Sequence, residues 1–187
     1  MERIKAFILV VAIMLCASVT AQAQSLMSPL SGNIKNRGLN QAFGVPWSTG
    51  ITCGGYVKIH NGVDVQAVHG ESVYAVFDGY VRAASLDPTW GGWVTLDHGP
   101  LHTFLMTTVY WHIIPTVSAN TFVAKGQLIG HVADLGSSTH FHLGIRLANY
   151  DNTSNSGALP QTNCGGYPAF AASFVNPWNY TFENNPH

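Results

Sequence analysis

The histidines and acids of this 187-residue chain include two short groups whose spacing could serve chemistry. One is Thr139-His140-Phe141-His142, with two imidazoles on either side of one apolar residue. On a β-strand alternate side chains share a face, so His140 and His142 stand side by side, about 7 Å apart at Cα. The other is His60-Asn61-Gly62-Val63-Asp64. On a straight strand His60 and Asp64 also share a face, yet about 13 Å apart, too far for one metal, and Gly62 can supply a bend that brings them together. Each motif alone is weak. Together, His60, Asp64 and one histidine of the pair offer two imidazoles and a carboxylate, a set suited to zinc with its fourth position open to water. Zinc lowers the pKa of such a water to about 7. The spare histidine is then available to move protons or steady a developing oxyanion.

The remaining histidines have plainer readings. His98 in Leu96-Asp97-His98-Gly99 ends a strand and bonds locally, and His69, His102 and His131 are structural or exposed. His69, five residues beyond Asp64, is the best rival ligand. Trp90, Trp93 and Trp111 read as core or groove wall, with Trp111 adjoining a candidate histidine.

The elements that must position these groups begin after the amino terminus. Arg3 and Lys5 precede an apolar run, Ala6 to Ala17, which is followed by small and polar residues ending in Ala21-Gln22-Ala23. This is the layout of a secretory signal peptide cleaved after Ala23. The run falls short of the roughly 20 apolar residues a membrane span needs. Residues 24–187 then form one domain, expected to be exported, to the periplasm or the exterior, with no stable membrane anchor after cleavage. That portion keeps six of the eight Lys/Arg and eight of the nine Asp/Glu, a formal charge of −2. Such a balance excludes electrostatic binding to nucleic acid or an anionic membrane surface. Cys53 and Cys164, each in the string Cys-Gly-Gly-Tyr, are an even pair in an exported chain, so a disulfide is expected.

Residues 24–50 read as an irregular lead-in with one strand. Val73–Val76 and Tyr80–Ala83 around Asp78-Gly79 read as a hairpin. Trp93–Leu96, Leu105–Trp111, Gln127–Val132 and His140–Leu147 are further β-rich runs, and 149–168 reads as a long ordered loop. No segment beyond the signal peptide holds an apolar period of 3.6, so helices should be few. The expected fold is all-β, an antiparallel sandwich or open barrel.

Four strings in this order, HNGVD, TVYWHI, GQLIG and THFHLG, resemble the lysostaphin/LytM-type zinc metallopeptidases, which cut peptide bonds in bacterial cell walls. ESVYAVFDGYVRAA and VNPWNY also look like that family's framework, so the similarity spans roughly residues 28–181. The resemblance implies His60, Asp64 and His142 as ligands of one Zn2+ per chain. It implies His112 and His140 as the two catalytic histidines that activate water and stabilise the tetrahedral intermediate. It further implies a compact antiparallel sheet with a groove that takes peptidoglycan peptides, and a monomer is expected.

Leu143-Gly144 stands where the family commonly has Phe-Glu after the histidine pair. The segment from His98 to Trp111 is longer than usual, and the loop 149–168 looks added. Two other readings compete. A non-catalytic module of the same fold, regulating another wall hydrolase, would typically lack the ligands that this chain keeps. A cupin-like metal oxygenase would place a carboxylate shortly after the pair, and none lies between His142 and Asp151.

Overall fold

A computed structural model describes residues 25–45, 52–53, 56–57, 60–102, 105–150 and 173–187. The expected signal peptide, Cys164 with its disulfide, and nearly all of the 149–168 loop lie outside these residues. The described strands are β1 (Leu26–Met27), β2 (Leu39–Gln41), β3 (Thr52–Cys53), β4 (Tyr56–Val57), β5 (Gly62–Val65), β6 (Ser72–Tyr74) and β7 (Gly79–Asp87). They continue with β8 (Gly91–Asp97), β9 (Thr107–Pro115), β10 (Phe122–Val123), β11 (Leu128–Val132), β12 (Phe141–Arg146), β13 (Phe174–Val175) and β14 (Phe182–Glu183). Among the described residues the only helical pieces are short 3-10 turns, so the all-β expectation holds.

The main sheet runs β10-β7-β8-β9-β12-β5-β2, antiparallel throughout. Alternation along its strands sorts the side chains. Val63 and Val65, Val94 and Leu96, Tyr110, and Phe141, Leu143 and Ile145 enter the core. Burial of an aliphatic or aromatic side chain of this size stabilises by about 1.5–3 kcal/mol. The Tyr110 hydroxyl is also satisfied, accepting from the Val76 amide at 2.9 Å and lying 3.1 Å from the Thr108 hydroxyl. Tyr110 therefore belongs to the core, while its neighbours Trp111 and His112 serve the opposite side.

On that other face the register aligns one row across four strands. Trp93 pairs with Trp111, Trp111 with His142, and His142 with Asp64. Directly opposed residues on neighbouring strands present their side chains together. The row thus carries two of the expected ligands beside two indole rings, which stack at 4.6 Å between centroids.

The strand expectations hold in position at β8, β9, β11 and β12, but the hairpin around Asp78-Gly79 does not form. β6 pairs with β11, and β7 pairs with β8 and β10. Asp78 instead accepts the Lys125 amide on its side chain and His98 Nδ1–H on its carbonyl, at 2.6 and 2.7 Å. These long-range bonds hold Asp78-Gly79 as a crossover between two strand pairs. A turn signal specifies a local bend but not which strands then meet.

β9 has the most consequential course. Along one edge it pairs with β12 from Thr107 to Trp111, then with β11 from Ile113 to Pro115. His112 is the residue at the handover. It takes φ of 65°, and the β8 register shifts opposite it, between Gly92 and Trp93. A residue in this left-handed conformation within a bulge re-aims its side chain relative to the strand.

Candidate metal centre

His60 lies just before β5, in a stretch pinned by backbone bonds in both directions: its N–H donates to the Val45 carbonyl and its carbonyl accepts from Gly44. Its Nδ1–H donates to the Ala42 carbonyl at 3.0 Å, which leaves Nε2 as the bare nitrogen. That nitrogen is 3.1 Å from Asp64 Oδ1 and 3.0 Å from His142 Nδ1, and Asp64 Oδ1 is 2.8 Å from His142 Nδ1. The three donor atoms form a small triangle inside a buried site. No bend within β5 is needed, because the strand begins only at Gly62 and His60 stands on the irregular segment ahead of it.

Gly62 is nevertheless required, for room. A Cβ there would come within 2.4 Å of the Leu143 carbonyl oxygen and 2.5 Å of His142 Nε2. The His142 ring lies against the Gly62 backbone, its Nε2 buried without a hydrogen-bond partner. At Gly144 a Cβ would meet Phe174 at 3.4 Å and His142 Nε2 at 3.6 Å, which is ordinary contact.

The electrostatics suit a cation. Burial opposes ionisation of Asp64, but hydrogen bonds and charge interactions with His142 and His60 outweigh it and hold the carboxyl well below the usual range. Burial pushes the pKa of His142 down, favouring neutral imidazole. Two imidazoles and a carboxylate are a set that zinc takes. A tetrahedral site with bonds of about 2.1 Å has edges of about 3.4 Å, so the triangle needs to open by only a few tenths of an ångström. His60, Asp64 and His142 therefore fit a zinc ion through Nε2, Oδ1 and Nδ1.

His140 and His112 stand beside this group. His140 Nδ1–H donates to the Ser138 carbonyl at 2.6 Å, and its Nε2 is 3.6 Å from Asp64 Oδ2. The His112 ring lies 4.3 Å from that of His140. Its Nδ1–H donates to the Trp90 carbonyl at 2.8 Å, leaving Nε2 as the basic nitrogen. Burial, then the charge of His140, lowers the His112 pKa to about 3, so the ring is neutral at physiological pH.

The five residues expected from sequence thus come together. The other histidines do not join them. His69 is exposed, His98 is buried between the Asp78 carbonyl and the Thr108 hydroxyl, and the His102 ring packs on Phe77 at 4.6 Å. His131 lies on β11 opposite Ser72 and Ile114. The carbonyls of Ala42 and Trp90, which select the histidine tautomers, carry no signal in the sequence because any residue supplies a carbonyl. Trp93 reads from the sequence as core or groove wall, and strand register alone places it in the row with Trp111, His142 and Asp64.

The sequence model of peptidase family M23 matches residues 58–156, more than half of the chain and all five residues of this group. Among solved structures, the catalytic domain of the antimicrobial peptidase lysostaphin from Staphylococcus simulans aligns with a TM-score of 0.51 at 23% identity, over 71% of this chain and 96% of that one. A zinc-containing peptidase from Vibrio cholerae gives 0.51 at 22% identity over 66% of this chain, which spans only 37% of that protein. A SpoIIQ–SpoIIIAH pore-forming complex gives 0.54 at 18% identity, over 87% of this chain and 94% of the matched one. At these identities the structural likeness establishes a shared fold. With that fold and the family match over residues 58–156, the chain is a member of peptidase family M23.

Proposed function

We propose that the chain is an exported zinc metalloendopeptidase that hydrolyses peptide bonds in peptidoglycan cross-links or stem peptides. In this reading residues 1–23 are removed as a signal peptide and 24–187 act as one catalytic domain. The observation that carries it is the convergence of His60 Nε2, Asp64 Oδ1 and His142 Nδ1 on one buried point, with two further imidazoles alongside. When bound there, zinc supplies Lewis acidity and a lowered pKa for water, near 7.

The two remaining histidines supply the proton transfers. Hydrolysis adds water to the scissile carbonyl carbon and breaks the C–N bond, so one proton must leave the water and one must reach the departing nitrogen. His112 is neutral, and its Nδ1–H is held by the Trp90 carbonyl, so Nε2 accepts the first proton and returns it as the bond breaks. His140, held in the same sense by the Ser138 carbonyl, presents Nε2 on the Asp64 side. Only as an imidazolium, with Nδ1–H on the Ser138 carbonyl, does it have an Nε2–H to donate to the oxygen that gains charge as the carbonyl is attacked. Groups in these roles contribute about 10²–10⁴-fold each.

The experiment uses His112→Ala and His140→Ala proteins loaded with zinc. Both are expected to retain about one zinc per chain and to lose at least about a hundredfold in turnover on peptidoglycan. Unimpaired turnover in either folded, metal-loaded protein would remove that histidine from the mechanism.

A second reading, a partner-binding module without hydrolytic activity, takes support from the likeness to a chain of a pore-forming complex. The complete ligand triangle and the paired histidines favour the peptidase.

A further inference from the structure

The bulge that carries His112 is held by the turn that joins β7 to β8 and by the strand ends that flank it. Three observations converge there. Asp87 Oδ1 accepts the amides of Thr89 and Trp90, at 2.8 Å each, so one carboxylate fixes the turn. The carbonyl of Trp90, in that turn, accepts His112 Nδ1–H at 2.8 Å. Gly91, with φ of 79°, then brings the chain against the bulge itself. A Cβ at Gly91 would lie 3.3 Å from both Cα and C of His112 and 2.6 Å from Ala133 Cβ. Ala133 in turn donates its N–H to the His112 carbonyl at 2.8 Å.

We infer that Asp87 and Gly91 are positioning residues for His112, selecting its Nδ1–H tautomer and its place through the Trp90 carbonyl and the backbone of the β7–β8 turn. The inference rests on the reading that His112 transfers protons in hydrolysis.

The physical need is specific. A non-glycine residue at φ near 65° sits in a sparsely populated region, and such a conformation persists only where its surroundings over-determine it. β12 releases the β9 edge at Trp111 and β11 takes it up at Ile113, so neither strand pairs with residue 112. The Ala133 amide holds the His112 carbonyl, and the turn constrains the His112 side chain. It also decides which nitrogen is basic, because a carbonyl can only accept and so fixes the proton on Nδ1. Asp87 has no other assigned part in the site. Its lever is the pair of amide bonds that hold the Trp90 carbonyl in place.

The test compares Asp87→Ala with Asp87→Asn, since asparagine keeps an oxygen that can accept the same amides. Side-chain 15N spectra read the His112 tautomer, and steady-state kinetics on peptidoglycan fragments read kcat and KM in zinc-loaded protein. The wild type and D87N should show His112 protonated at Nδ1. D87A should lose that tautomer preference and about ten- to a hundredfold in kcat, with KM, zinc content and thermal midpoint close to wild type. Retention of the Nδ1–H signature in D87A would overturn the inference, and so would a D87N protein that behaves like D87A. The spectra do not depend on turnover. A chain with the expected tautomers but no hydrolysis would fail the proposed function while leaving the positioning intact.

Discussion

Replacing Gly62 by alanine tests how tightly the fold holds His142, a proposed zinc ligand. The new Cβ would stand 2.4 Å from the Leu143 carbonyl oxygen and 2.5 Å from His142 Nε2. Ordinary contact needs about 3.4 Å or more, so β5 and β12 must separate by about 1 Å at this register position, or the ring must tilt. The carbonyl belongs to the sheet backbone and gives little. The ring carries Nδ1, one corner of a triangle whose sides are 2.8–3.1 Å, so a displacement of this size is a third of the site's dimension. Overpacking of this kind costs about 1–3 kcal/mol of stability. Disturbing the support of a ligating histidine costs about 10–100-fold in metal affinity. Gly144→Ala is the control, because its Cβ would meet the same ring from the ring's own strand, β12, at 3.6 Å. Competition with a chromophoric chelator gives the zinc affinity of each variant, and thermal melts of the metal-free proteins give stability. G62A should lose at least about tenfold in affinity while G144A stays within about threefold of wild type. Equal affinities in the two variants would refute the claim that Gly62 makes room for His142.

Other outcomes follow from the same geometry. Asp64→Ala removes the only charge in the ligand triangle and should abolish stoichiometric zinc after dialysis; full occupancy by atomic absorption would contradict the assignment. Burial lowers the pKa of His98 from 6.5 to about 4. The unfolded chain therefore binds a proton before the folded one, and stability falls as pH drops through that window. The gap is worth about 3 kcal/mol at the acid end, so urea melts at pH 7 and pH 4.5 should differ less in His98→Gln than in the wild type. Cys53 and Cys164 are expected to be joined, closing a loop of about 110 residues worth about 4 kcal/mol; two alkylatable thiols in oxidised protein would exclude it.

The sequence made the strands legible where one face is buried. Val63 and Val65 around Asp64, and Phe141, Leu143 and Ile145 around His142, alternate as a half-buried strand must, and Asp64 and His142 fall between them. The hairpin expected at Asp78-Gly79 does not form because the partners of β6 and β7 are set by contacts far along the chain, from Lys125, His98 and β11. That His60, Asp64 and His142 converge is legible from residue types and their order. The means of holding them is less so. His60 is aimed by the Ala42 carbonyl and His112 by a bulge where β9 changes partners, and neither backbone feature leaves a mark on residue identity. Gly62 was visible as a glycine, but its reason is the imidazole that lies against it rather than a bend.

The most direct measurement incubates purified peptidoglycan with the zinc-loaded protein, the chelator-treated protein and the chelated protein restored with zinc, and identifies the released ends by mass spectrometry. New peptide amino and carboxyl termini are expected with the loaded and restored proteins and none with the chelated one. Release that persists without metal, or no new peptide termini from a protein shown to hold zinc at His60, Asp64 and His142, would contradict it.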